Sequence, residues 1–139
     1  MGLALLLFCM VLPGCAREEE ERPGKIEIHF FYNEPCASCD GTKDFYRVVK
    51  EELGDVSDRY PYEIYPHNVF QASAAMDRDR ELGKLGYGQE VIGSLTYPIM
   101  TVNGKAYLGM DSISQSLREA YLTAGEDLFV YDRGVFDPC

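Results

Sequence analysis

The segment KIEIHFFYNEPCASC, residues 25–39, decides the fold. Its first eight residues are apolar in the main and rich in β-branched and aromatic side chains, a composition typical of a buried strand. Asn33-Glu34-Pro35 interrupts that strand. From Cys36 onward apolar residues recur at three- and four-residue steps, which predicts a helix that begins at the cysteines and ends near Gly54.

Outward from this segment, further elements follow from the same periodicities. Strands are predicted at residues 60–65, 99–102 and 105–108, and the last two are joined at Asn103-Gly104, a dipeptide that favours the positive φ angles of a two-residue hairpin. Helices are predicted at residues 68–85 and from Asp111 or Ser112 to Gly125, with a glycine-rich loop at residues 86–93. The order β-α-β-α-β-β-α indicates one α/β domain over residues 25–125, followed by a tail at 126–139.

The amino-terminal residues predict export. Residues 3–12 form an apolar run that suits a signal peptide but falls short of the roughly 20 residues of a membrane-spanning helix. Leu12-Pro13-Gly14-Cys15 resembles the processing box of bacterial lipoproteins. The resemblance implies that residues 1–15 are a signal peptide with its lipobox, that Cys15 carries the lipid, and that the charged residues 16–24 are a flexible tether to the membrane. A plain cleaved signal with an incidental cysteine is the alternative.

The charge of the chain argues against nucleic-acid binding. The formal net charge is −10, and the sequence contains no cluster of Lys and Arg. The acidity is interpreted as a solubility device, with a surface for a basic partner as the alternative.

Cys36 and Cys39 are the candidate catalytic residues. Two cysteines three apart in a first helical turn share one face, and the partial positive charge of a helix start favours a thiolate, the attacking species in disulfide exchange. Cys36 is expected to be the more exposed and to attack, and Cys39 to resolve the mixed disulfide. A half zinc site completed by other ligands and an inert structural disulfide remain as alternatives. Cys139 is predicted to be a free thiol or to form an intermolecular bond.

Thr96-Tyr97-Pro98 lies directly before the strand at residues 99–102. Proline cannot donate to a sheet ladder, and X-Pro bonds adopt cis at low cost. With the strand–CxxC–helix order and the hairpin, this motif resembles the thioredoxin superfamily over residues 25–125. The resemblance implies a three-layer α/β/α sandwich with a four-stranded mixed sheet, whose hairpin runs antiparallel to the first two strands. It also implies that Thr96, Tyr97 and Pro98 form a substrate platform opposite the cysteines.

The sequence departs from thioredoxin beside the cysteines. Phe30 stands where thioredoxin has a buried carboxylate, and Ala37-Ser38 replaces Gly-Pro. Glu34 is therefore the candidate for proton transfer, with an ordinary exposed loop acid as the alternative.

These observations lead to a functional hypothesis. The chain is expected to be an extracytoplasmic thiol–disulfide oxidoreductase, lipid-anchored to a bacterial membrane. It would exchange disulfides with exported protein thiols and meet a membrane protein that donates or accepts electrons. Its redox centre would be the Cys36–Cys39 disulfide, with no further cofactor and no metal. The alternative is a lipid-tethered binding module of the same fold that holds a partner protein or a soft metal such as copper.

Overall fold

Residues 24–129 are described by the computed structural model, and within them lie one four-stranded mixed sheet and four helices. In chain order the elements are β1 (Ile26–Tyr32), α1 (Lys43–Leu53), β2 (Tyr62–Asn68), α2 (Ala72–Lys84), α3 (Gln89–Ile92), β3 (Ile99–Val102), β4 (Lys105–Leu108) and α4 (Met110–Phe129). The predicted α/β class and mixed sheet are confirmed. The order differs from the prediction by α3, a short helix in the glycine-rich stretch predicted as a loop.

The sheet has the strand order β2-β1-β3-β4. β1 pairs with β2 in parallel and with β3 antiparallel, so that Phe30 lies beside Met100. β3 and β4 form the predicted hairpin. Its two turn residues, Asn103 and Gly104, have φ angles of 48° and 72°, the left-handed conformation that such a turn requires.

Side chains of β1 enter two separate apolar clusters because successive residues of a strand point to opposite faces. Ile26, Ile28 and Phe30 are buried with the apolar faces of α1 and α4. Phe31 is buried with residues of α2, α3 and β3, namely Leu82, Ile92 and Ile99. Both faces of the central strand are therefore covered, which fits the near-continuous apolar character of its sequence.

Helix α1 begins at Lys43, so the prediction that a helix starts at Cys36 is wrong. Residues 37–42 form turns instead. The Asp40 carboxylate accepts hydrogen bonds from the backbone N–H of Thr42 at 3.0 Å and from its hydroxyl at 2.6 Å. Short polar side chains that bind the backbone in this way hold the chain in a turn rather than in a helix.

Helix α4 runs through Gly125 to Phe129, beyond its predicted end. Gly125 is buried, and a Cβ atom at this position would overlap the ring of Tyr60. The glycine thus permits close packing and does not end the helix.

Several predictions fall outside the described residues. They concern the signal peptide and lipobox at residues 1–15, lipidated Cys15, the tether except for Gly24, and the tail from residue 130 to Cys139. In the described part of the chain, no helix combines the length and the apolar character that crossing a bilayer requires.

Tyr121 of α4 ties the chain between α1 and β2 to the core. Its ring is buried, and its hydroxyl accepts a hydrogen bond from the backbone N–H of Tyr60 at 2.9 Å. The same hydroxyl lies 2.8 Å from the Tyr60 carbonyl oxygen and 3.1 Å from that of Val56, to either of which it can donate.

Replacing Tyr121 by Phe is expected to lower the free energy of unfolding by about 1–3 kcal/mol, because the partly buried N–H and carbonyl groups of Tyr60 and the buried carbonyl of Val56 lose their partner. Urea unfolding followed by circular dichroism measures the change. Tyr46→Phe is the control, since Tyr46 is 44% exposed and its loss should cost less than about 0.5 kcal/mol. Equal stability of the two variants would contradict the role given to the Tyr121 hydroxyl.

Candidate active site

The candidate site is the loop that leaves β1. The sulfurs of Cys36 and Cys39 lie at disulfide-bonding distance, with their Cα atoms 5.2 Å apart, inside the usual range for a disulfide. The Cys39 N–H donates to the Cys36 carbonyl oxygen at 3.2 Å and closes the turn between them. The pairing predicted from spacing is therefore present, although it is held by a turn rather than by a helix.

The exposure of the two cysteines is the reverse of the prediction. Cys36 is partly buried, whereas Cys39 is exposed. The cause is the late start of α1, which leaves Cys39 in the turn and not in the interior of a helix. A further contact distinguishes the two sulfurs, because the Ser38 hydroxyl lies 3.4 Å from Cys36 Sγ and can donate to it.

Glu34 and Asn68 hold the loop in place. The Glu34 carboxylate accepts the backbone N–H of Cys36 at 3.0 Å. The backbone of Glu34 is bound twice by the side chain of Asn68: its N–H donates to Oδ1 at 3.2 Å, and its carbonyl accepts from Nδ2 at 2.8 Å. Asn68 ends β2 and pairs with Tyr32 at the end of β1, so the parallel pairing places this amide beside the loop.

Sequence reasoning missed Asn68. Asn68 lies at the end of β2, and a strand was predicted there beside β1. The predicted strand ended at residue 65, however, three residues before Asn68, so the sequence did not place this side chain near the cysteines.

The Tyr97–Pro98 segment faces the same loop. Both residues line a cavity of about 280 Å³ whose wall also includes Glu34 and Gly41. The Tyr97–Pro98 peptide is cis, and the Pro98 carbonyl accepts the N–H of Gly109 at 2.8 Å.

The side chains of Tyr97 and Thr96 have different surroundings. The Tyr97 hydroxyl is hydrogen-bonded to Arg78 of α2 at 2.6 Å, a contact that the sequence did not reveal. Thr96, the first residue of the predicted platform, is exposed. Glu34, Tyr97 and Pro98 thus line one cavity, and Glu34 also lies close to both cysteine sulfurs.

Negative charge predominates around the sulfurs. Residues 34–44 contain Glu34, Asp40 and Asp44 but only one basic residue, Lys43. Hydrogen bonds from the Thr42 hydroxyl and backbone N–H hold the pKa of Asp40 below its usual range, which keeps this carboxylate ionised. A thiolate here lacks both the helix-start position and the positive surroundings that commonly stabilise it.

Glu34, Cys36 and Cys39 can also be read as metal ligands. One ligand atom from each lies within 4.8 Å of the other two, and the described residues contain no other such group of three. The two sulfurs become available to a metal only after the disulfide is reduced.

Replacing Glu34 by Gln is expected to speed alkylation of the reduced cysteines at pH 7 by about three- to tenfold. The glutamine preserves shape and acceptor oxygen but removes a charge near both sulfurs, which raises the thiolate fraction. The rate is followed by mass spectrometry on the peptide that contains Cys36 and Cys39.

Asp44→Asn is the matched control, since Asp44 lines the same cavity with a 78% exposed, well-screened side chain. If both variants react at the rate of the unmodified chain, the Glu34 carboxylate does not act on the sulfurs.

Comparison of the chain with protein-family models, with curated proteins and with solved structures gave no match. The family resemblance carried by the motifs therefore stays a prediction. The function has to be inferred from the site at residues 34–39 and 97–98.

Proposed function

We propose that this chain is a thiol–disulfide oxidoreductase whose redox pair is Cys36 and Cys39, carried on a thioredoxin-like three-layer α/β/α sandwich. The observation that carries the proposal is the placement of a disulfide-spaced pair beside a cavity lined by Glu34, Tyr97 and Pro98. The strand order β2-β1-β3-β4, with apolar clusters on both faces of β1, supports the proposed architecture.

The chemistry follows from the two sulfurs. In the reducing direction, the Cys36 thiolate attacks a substrate disulfide, forms a mixed disulfide and releases one substrate thiolate. The Cys39 thiolate then attacks Cys36, which forms the Cys36–Cys39 disulfide and releases the second substrate thiolate. Two electrons pass to the substrate, and the two released thiolates take up protons. Oxidation of a substrate dithiol is the reverse sequence.

Neighbouring groups support a first attack by Cys36. Its greater exposure was the predicted reason, but Cys39 is the more exposed residue. Instead, the Ser38 hydroxyl can donate to Cys36 Sγ and stabilise a thiolate there. Glu34 is the proposed proton-transfer group, because its carboxylate is hydrogen-bonded to the Cys36 backbone and lies close to both sulfurs.

The proposed setting is extracytoplasmic, with a lipid anchor at Cys15. In that setting the substrates are exported protein thiols, and a membrane protein exchanges electrons with the Cys36–Cys39 pair. Thr96, Tyr97 and Pro98 form the substrate platform in this proposal.

Single-cysteine variants test the function and the roles of the two sulfurs. Cys39→Ala is expected to accumulate a mixed disulfide with a disulfide-containing protein such as insulin, because the resolving thiol is gone. Cys36→Ala should trap none, and neither variant should catalyse insulin reduction by dithiothreitol. Non-reducing electrophoresis and mass spectrometry detect the adduct.

The results distinguish the proposed function from the roles assigned to Cys36 and Cys39. A trap by Cys36→Ala alone would exchange the roles of the two cysteines and leave the function intact. Insulin reduction by Cys36→Ala at the rate of the unmodified chain would overturn the oxidoreductase proposal.

The second candidate is a binding module without turnover, which holds a soft metal such as copper. The close approach of Glu34, Cys36 and Cys39 favours it, since Cu(I) prefers thiolate ligands. Reduced protein that retained one equivalent of copper and catalysed no insulin reduction would support this candidate over the enzyme.

A further inference from the structure

The only two histidines of the chain meet side by side in the sheet. His29 of β1 and His67 of β2 lie on adjacent parallel strands, and His29 Nδ1 is 3.0 Å from His67 Nε2. Their side chains are only 19% and 17% exposed. Aromatic neighbours hold both rings: His29 stacks on Tyr65 with centroids 5.0 Å apart, and His67 on Phe31 at 4.7 Å. The two facing nitrogens are thus held in a fixed geometry.

Each imidazole turns its outer nitrogen toward a carboxylate. His67 Nδ1 lies 3.6 Å from an Asp77 oxygen, and His29 Nε2 lies 3.7 Å from a Glu27 oxygen. These separations are longer than hydrogen bonds, but a carboxylate at this distance attracts an N–H group and repels a lone pair. Both outer nitrogens are therefore favoured as N–H groups.

A single proton between the two neutral rings leaves one of the two outer nitrogens without an N–H group. Each neutral imidazole has one N–H and one lone pair. If the inner Nδ1 of His29 carries the shared proton, its outer nitrogen presents a lone pair to Glu27. If His67 Nε2 carries it, Asp77 faces a lone pair instead. When both outer nitrogens carry protons, the two inner nitrogens face one another with lone pairs, which repel. A cation bound between the two inner nitrogens removes this repulsion.

We propose that His29 Nδ1 and His67 Nε2 ligate a divalent transition-metal ion of the zinc–copper class, with water in the remaining coordination positions. Two nitrogens bound at about 2.0–2.1 Å to one tetrahedral ion are about 3.3 Å apart, so the observed 3.0 Å needs only a small adjustment. Imidazole is a preferred ligand of zinc, copper and nickel. The carboxylates near the outer nitrogens, at 3.6 and 3.7 Å, are of the type that orients metal-bound histidines when hydrogen-bonded to them.

Carboxylates near the two rings attract a cation. Asp77 is also bonded to Arg80 at 2.7 Å, and Glu81, whose charge acts on His67, is bonded to Lys84 at 2.9 Å. These carboxylates attract the cation while the basic residues fix their positions.

Zinc titration of the oxidised full chain tests the site. The Cys36–Cys39 disulfide withholds both redox sulfurs, and iodoacetamide blocks the remaining thiols. We expect saturable binding of one equivalent of Zn²⁺, measured by calorimetry, with NMR resonances of both imidazoles shifting together. His29→Gln and His67→Gln should each weaken binding at least about tenfold, and Asp77→Asn by about tenfold.

Glu90→Gln is the control, because Glu90 is an exposed acid on α3, and it should leave the affinity unchanged. The NMR titration uses the chain without substitutions and so does not depend on the folding of any variant. The proposal is overturned if the chain shows no saturable zinc binding, if zinc shifts one imidazole alone, or if folded His29→Gln and His67→Gln bind zinc as the unmodified chain does.

Discussion

The hydrogen bonds between the Asn68 side chain and the backbone of Glu34 are the constraint on which the candidate site depends. Parallel pairing of β1 with β2 brings the ends of the two strands together. The side-chain amide of Asn68 is hydrogen-bonded there to both the backbone N–H and the backbone carbonyl of Glu34. Glu34 in turn binds the backbone of Cys36. The sheet therefore positions the cysteines through two side chains, although the loop that contains them has no regular structure.

This arrangement gives the sulfurs an unusual electrostatic environment. A cysteine in the first turn of a helix gains from the partial positive charge of the helix end. Here three residues separate Cys39 from the first residue of α1, Lys43, and a carboxylate lies within 4.8 Å of both sulfurs. Weak stabilisation of thiolates favours the disulfide over the dithiol, so the proposed enzyme is a better reductant than oxidant. Ser38 offsets part of this effect by its contact with Cys36.

Elements specified by local chemistry were predicted well. Strand β1, with its run of β-branched and aromatic residues, and the Asn103-Gly104 hairpin lie where the sequence places them. Features that depend on tertiary contacts were not predicted. Met76 is an apolar residue of α2, yet its side chain is 71% exposed. Gly125 has the appearance of a helix end and instead makes room for Tyr60.

The same distinction holds for the candidate site. The pairing of Cys36 with Cys39 follows from their spacing, and Pro98 lies directly before β3, where the sequence places it, and lines a cavity with Glu34. The relative exposure of the two cysteines could not be predicted from their spacing, because it depends on where α1 begins. The hydrogen bonds from Thr42 to Asp40 set that start. Asn68 and Arg78 contact Glu34 and Tyr97 from distant parts of the chain. No sequence pattern around the cysteines indicates these contacts.

The central claim is that Cys36 and Cys39 exchange electrons reversibly, and their reduction potential tests it most directly. The chain is equilibrated in glutathione buffers of known potential, alkylated, and analysed by mass spectrometry for the peptide that holds both cysteines. The account predicts a reversible two-electron transition with a midpoint closer to the value of thioredoxin, about −270 mV, than to that of protein disulfide isomerase, about −180 mV. A pair that stays fully oxidised below about −300 mV would be a structural disulfide and would contradict the account.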